Sequence, residues 1–356
     1  MNKGKFYFSV KDFLEDNSNN TKNVFLLIAE YTNFQITDLN NYQGKSSGAI
    51  VPFVIYNNEF FNKGVIACFL EEASSIALIK DLSVFDIDNS FFKNKESFIV
   101  LLDGLSSNIT NFLDNLFENI PQNTQVMGGG AGKLTLKNDP VIFLEGKLYS
   151  NAAIIIATSF KLHTKVANGW EHLEGPFLTT NSYQNVLKTL NFKKAFDVYK
   201  EVVEQNSGMK FTDDNFFDIA KFYPLGIVKF NSEAVVRDPI YLNEDNDMVL
   251  VGDIPQNSTI NILKGEKENL LNSSKTALEE VLKESNSQKN QDIFIFDCIA
   301  RSIFLGDDFT EELNVIKSQM EENSTLFGAL TFGEISSSQD KYINFYNKSC
   351  VLGVLC

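Results

Sequence analysis

The sequence predicts a mixed α/β fold built from two related lobes. Each lobe is a mixed or mostly antiparallel sheet flanked by helices, and the two sheets face a common cleft. Three observations predict this. Short apolar runs rich in Ile, Val and Phe alternate with longer segments of helical periodicity. A strand–loop–helix–strand pattern occurs twice along the chain. The 356 residues, 44% apolar and 22% charged, also match about two globular domains rather than a disordered chain.

Taken in order, residues Asn2–Asn20 read as an amphipathic start followed by a polar linker, an N-terminal extension over 1–20. Strands are predicted at Val24–Ala29, Gly64–Leu70, Phe98–Leu102, Ala152–Ala157 and Ile293–Phe296, each too short for an isolated helix. Apolar residues three and four apart predict helices at Asn108–Asn119, Ser182–Asn191, Lys194–Gln205, Ser273–Ser285 and Thr310–Glu322. The polar stretch Gln205–Asn215 marks a boundary between domains at 21–215 and 216–356. A second polar stretch, Glu284–Gln291, separates a helix from the next strand.

The internal repeat pairs ESFIVLLDGLSS, a helix, QVMGGGAG and VIFLEGKLYSNAAIIIA with QDIFIFDCIARS, a helix, TLFGALTFGEI and YINFYNKSCVLGVL. Asp103 then matches Asp297 and Gly128 matches Gly328. Hairpin turns fall at Glu145–Gly146–Lys147 and Tyr346–Asn347–Lys348. Strand ends and glycine turns of two such lobes would line a crevice between them.

Lys plus Arg number 31 against 46 Asp plus Glu, a net charge of −15. A surface that negative repels phosphate backbones and anionic lipid, so no nucleic-acid or membrane-surface partner is expected. No apolar run reaches the roughly 18 residues of a membrane span, and the N-terminus has no export signal. Cys68, Cys298, Cys350 and Cys356 lack the CxxC spacing of a zinc site, and so large a chain needs no disulfide framework. Free thiols then point to the cytoplasm.

Gly128–Gly129–Gly130–Ala131–Gly132–Lys133 invites a phosphate-loop reading, but the spacing fails it. Met127 stands where the pattern needs glycine, and Leu134 where it needs Ser or Thr. Gly44–Lys45–Ser46 fails in the same way at Leu39. The glycines instead suit turns, close backbone approach, or a nest of N–H groups for a carboxylate. Arg237 and Arg301 are the two arginines among 31 basic residues, and arginine grips carboxylates in a way that lysine does not. Either could hold an anionic ligand or an internal ion pair. Asp238 follows Arg237, and Glu334 sits on the second glycine turn, where it could meet an ammonium group or Arg301. Cys298, beside Arg301, is a candidate nucleophile or a buried small hydrophobe. Only His163 and His172 could serve it as a base, and histidine-based metal sites are disfavoured for the same scarcity. Trp170 reads as core or rim packing. The candidate ligand-binding set is Arg301, Cys298, Arg237, Asp238, Glu334, Gly128, Gly129, Gly130 and Asp103. No metal or cofactor is expected.

Several segments in order resemble the FIST family, named for F-box and intracellular signal transduction proteins. They are LLDGLSS, VMGGGAG, FLEGKLYSNAA, VANGWEHLEGP and Tyr199–Val203 in the first half. FYPLGI, VRDPIYLNEDNDMVLVGDIP, FDCIARS and LTFGEI follow in the second. The likeness runs from Val24 to the C-terminus, with Asn168 where the family often has His before Gly-Trp. It implies an intracellular sensory module that binds a small ligand such as an amino acid or related metabolite. With no kinase, cyclase, methyl-accepting or F-box segment recognised, a stand-alone sensor that signals through a downstream protein is expected. A cysteine-dependent enzyme and a protein-interaction scaffold remain the alternatives.

Overall fold

Strands that are apolar on both faces need cover on both. Here three sheets turn their inner faces toward one shared core and cover their outer faces with helices or loops. The computed structural model describes residues 4–229, 234–285, 291–337 and 342–356. The first unit comprises β1 (Lys5–Tyr7), α1 (Val10–Asp16), β2 (Val24–Ala29), β3 (Ser46–Val51), β4 (Phe53–Tyr56), β5 (Glu59–Phe61) and β6 (Val65–Phe69). The second comprises β7 (Ser75–Ile79), β8 (Ser97–Asp103), α2 (Ile109–Asn119), β9 (Gln125–Ala131), β10 (Ile142–Leu144), β11 (Lys147–Tyr149) and β12 (Ala153–Thr158).

The third unit opens with β13 (Leu162–Ala167), and an insertion follows. The insertion holds β14 (Trp170–Tyr183), β15 (Val186–Leu190), β16 (Lys193–Lys194), α3 (Ala195–Ser207), α4 (Phe216–Ala220), β17 (Leu225–Ile227), β18 (Val235–Leu242), β19 (Met248–Val251) and β20 (Thr259–Gly265). The unit resumes with α5 (Lys267–Glu284), β21 (Ile293–Cys298), α6 (Ile299–Leu305), α7 (Phe309–Ser318) and β22 (Leu326–Thr331). It closes with β23 (Glu334–Ser337), β24 (Ile343–Tyr346) and β25 (Cys350–Leu355).

The three six-stranded sheets share one wiring. Each has a central parallel pair: β2 with β3, β8 with β9, and β21 with β22. The first strand of each pair is flanked by an antiparallel strand, β6, β12 or β25, and then by the strand that opens the unit, β1, β7 or β13. On the far side lies a hairpin donated by another unit. β4–β5 completes the third sheet, β10–β11 the first, and β23–β24 the second. The exchange is a closed cycle. The seven-stranded sheet of the insertion, with strand order β14-β20-β17-β18-β19-β15-β16, stands beside it.

Alternation along each strand divides the side chains between two cores. Phe25 and Leu27, Ile99 and Leu101, and Phe294 and Phe296 point into the shared one. Val24 and Leu26 pack under α1, Phe98 and Val100 under α2, and Ile293 and Ile295 under α5 and α7. Mixed sheets flanked by helices therefore occur in both halves of the chain. The sheets do face one another, and what they enclose is packed side chains.

A glycine marks the same place in each parallel pair: Gly48 opposite Leu26, Gly128 opposite Val100, and Gly328 opposite Ile295. A Cβ there would lie 1.8, 1.8 and 1.7 Å from the partner's carbonyl oxygen. This register matches Gly128 with Gly328 but corrects the pairing of Asp103 with Asp297. Cys298 is the counterpart of Asp103, and Asp297 is one residue off, on the opposite face.

Other expectations need correction. The described part of the supposed extension over 1–20 is an integral edge. β1 pairs with β6, and Phe13 is fully buried against Tyr7 and Tyr42. The supposed boundary at 205–215 lies inside one packed body, where Phe211 contacts Phe196, Tyr199 and Phe216. Ser182–Asn191 is not a helix but the end of β14, a turn and β15. Buried Leu187 and Leu190 mimic helical spacing there. The turn at Glu145–Gly146–Lys147 does join β10 to β11, whereas Tyr346–Asn347–Lys348 links strands of different sheets. Of the linker at Glu284–Gln291, positions 286–290 lie outside the described residues.

Candidate functional site

A pocket of about 420 Å³ opens where the carboxyl ends of β8 and β21 meet the inserted sheet. The loop after β8 (Gly104–Thr110), the start of α6 (Cys298–Ala300) and the β22–β23 turn (Phe332, Gly333) form one side. β18 and β19, with the β14–β15 turn, form the other. The ends of parallel strands are where open α/β sheets expose backbone groups to ligands. Leu105, Ile109, Ile240, Val251, Ile299 and Phe345 make the wall largely apolar.

Arg237 is the principal charge of this pocket. β18 carries it inward between buried Val236 and Asp238. Its Nε donates to Asp253 O at 2.7 Å. Its Nη1 donates to Val236 O and Phe345 O, each at 3.0 Å, and to Asn347 Oδ1 at 3.4 Å. Among the described residues, no acceptor takes a hydrogen bond from Nη2. Burial lowers the Arg237 guanidinium to about 10, still well above neutral pH. Asn347 lines the same pocket, and its buried Nδ2 also has no hydrogen-bond partner. Two donors, one of them cationic, are therefore unspent at one spot.

Asp238 also lines the pocket, but Lys348 Nζ lies 3.3 Å from its Oδ1. Burial pushes the Asp238 carboxyl up while Lys348 pulls it back. Lys348, itself fully buried, donates to Lys221 O at 3.0 Å and sits 5.1 Å over the Trp170 ring. Trp170 is core packing, with Nε1 donating to Lys348 O at 2.8 Å. Asp253, at the pocket edge, accepts from Thr110 Oγ1 at 2.9 Å, a bond that joins α2 to the inserted sheet.

Cys298 lines the pocket at the end of β21. Burial, reinforced by Glu334, drives its thiol well above the ordinary range, opposite to what a nucleophile needs. Glu334 lies behind the wall. Its Oε1 accepts from Thr331 Oγ1 at 3.0 Å, and its Oε2 accepts from Ser349 Oγ at 2.9 Å. Burial lifts this carboxyl to about 8.

Arg301 does not line the pocket. Its guanidinium, fully buried, is held by Glu312 at 2.8 Å and donates to Asn168 O and Leu270 O at 2.7 Å. The expected meeting of Glu334 with Arg301 does not occur, since Glu312 takes that place. Asp297, Glu312 and Cys350 bring ligand-type atoms within 4.8 Å of one another. Arg301 Nε lies 2.9 Å from Glu312 Oε1 and 3.9 Å from Asp297 Oδ1, so a guanidinium already supplies the cation there.

Asp103 is a positioning residue. Its oxygens accept from Leu105 N at 3.2 Å and Asn151 N at 2.7 Å, which shapes the loop that lines the pocket. Gly128, Gly129 and Gly130 form neither a turn nor a nest. They lie within β9, and the space for their Cβ atoms is taken by Val100 O, the Thr331 side chain and Phe332 O. The structure thus brings Arg237, Asp238 and Cys298 together and leaves the other six candidates outside the pocket. Sequence reasoning missed Asn347, Asp253 and Lys348.

The pocket draws on segments far apart in the chain, from Gly104 to Asn347. The family model described as FIST N domain matches residues 43–193, and that described as FIST C domain matches residues 195–337. No curated protein matches the chain. Among the described residues, no helix is long and apolar enough to cross a membrane.

Proposed function

Because the chain belongs to the FIST family, we propose that it works as an intracellular sensory module. In this reading it holds a small ligand, an amino acid or related metabolite, and passes the bound state to a downstream protein. The observation that carries the reading is the pocket of about 420 Å³, lined from both matched segments, in which Arg237 keeps an unspent charged donor. Its volume suits a small metabolite. Thiol chemistry at Cys298 gains no support, since burial disfavours the thiolate.

A ligand that binds only the folded chain raises its melting temperature, by about 2.7 kcal/mol of added stability at a hundredfold excess over Kd. Scanning fluorimetry against amino acids, 2-oxo acids and dicarboxylates should therefore find saturable upward shifts. A well-folded sample with no shift across that panel would overturn the reading.

A further inference from the structure

Four acidic or basic side chains bear on the pocket, and they are not equivalent. Asp238 and Lys348 cancel each other in a buried pair. Arg237 and Asp253 have opposite charges and line the same pocket, yet their side chains form no ion pair with each other. Arg237 Nε is instead bonded to the Asp253 backbone oxygen, and the Asp253 carboxylate turns to Thr110. An arginine and an aspartate thus line the same pocket without pairing with each other. The same wall includes the apolar side chains of Ile240, Ile299, Phe332 and Phe345.

We propose that this site selects an α-amino acid with an apolar side chain. Its carboxylate sits on Arg237 Nη2 and Asn347 Nδ2, its ammonium on Asp253, and its side chain against the apolar wall. The assignment rests on the sensory reading above and narrows it. It also moves the ammonium-binding role from Asp238, which Lys348 already neutralises, to Asp253. A zwitterion leaves the site's charge balanced, whereas a ligand lacking either charged end leaves one of the two residues desolvated without a partner.

The test is calorimetric titration of the full chain with L-leucine, L-phenylalanine, leucinamide, 4-methylpentanoate, L-aspartate and L-lysine. Leucine or phenylalanine should bind, and the amide and the deaminated acid should each bind at least about tenfold more weakly. Aspartate and lysine should be weaker still, because the apolar wall cannot pair their charges. Asp253→Asn keeps an acceptor for Thr110 at a partly exposed position. It should erase the preference for leucine over 4-methylpentanoate while the melting temperature stays close to that of the parent. Equal binding of the deaminated acid by the unaltered chain overturns the assignment while the sensory reading stands. So does a preference that survives in the variant, or tighter binding of a polar amino acid. If no compound binds, both fall together.

Discussion

Glu334 has its oxygens on Thr331 and Ser349, and burial raises its carboxyl to about 8. In the unfolded chain the same group loses its proton near the ordinary glutamate range. Between these limits the folded chain keeps a proton that the unfolded chain has released, so stability falls as pH rises from about 4.5 to 8. Glu334→Gln keeps an acceptor for Thr331 and cannot ionise. Its melting temperature should fall less between pH 5 and 8 than that of the parent. It should not become flat, because burial also pushes the Asp297 carboxyl up. Identical slopes in the two proteins would assign the proton elsewhere. Arg237, which lines the pocket, stood out in the sequence because arginine is scarce in a chain that otherwise uses lysine. Asn347 and Asp253 did not, since polar residues in polar loops carry no mark of what they face. Glu312 did leave a trace, as a carboxylate among Phe309, Leu313 and Ile316 on the buried stripe of α7.

Gly128 and Gly328 were legible from the sequence, but their purpose was not. Glycine in an apolar strand reads as a turn, and only the parallel register shows a carbonyl oxygen occupying the place of the missing Cβ. Gly128→Ala must push β9 away from β8, which are joined along seven residue pairs. The expected cost is about 3 kcal/mol or more, beyond ordinary overpacking. It should appear as a lower urea midpoint with an unchanged slope. A loss below about 1 kcal/mol would mean that the strands part easily and that the close approach is incidental. Helices α2, α3 and α7 were legible because one face of each is apolar over several turns. β15 was misread because five residues with two leucines three apart fit both periods.

Three units linked in a ring of exchanged hairpins have no seam along which the chain divides. The first unit went unrecognised as a copy because residues 36–41 form only a 3-10 turn where α2 and α7 stand in the others. Separate pieces covering 1–193 and 195–356 should each lack a cooperative melting transition. The first holds β4–β5 and β13 without β21, β22 and β25, and the second holds β23–β24 without β9. Made together in one cell, the pieces should co-purify. A sharp melt from either piece alone would show that the ring is dispensable. The ring also bears on biosynthesis. When the ribosome has released residue 149, the first sheet can close, since all six of its strands are then available. The other two must wait for β23, β24 and β25, which begin only at Glu334. A nascent chain therefore carries the bare edge of β9 and an orphan β4–β5 ribbon until those strands emerge, and shielding from a chaperone matters most in that interval.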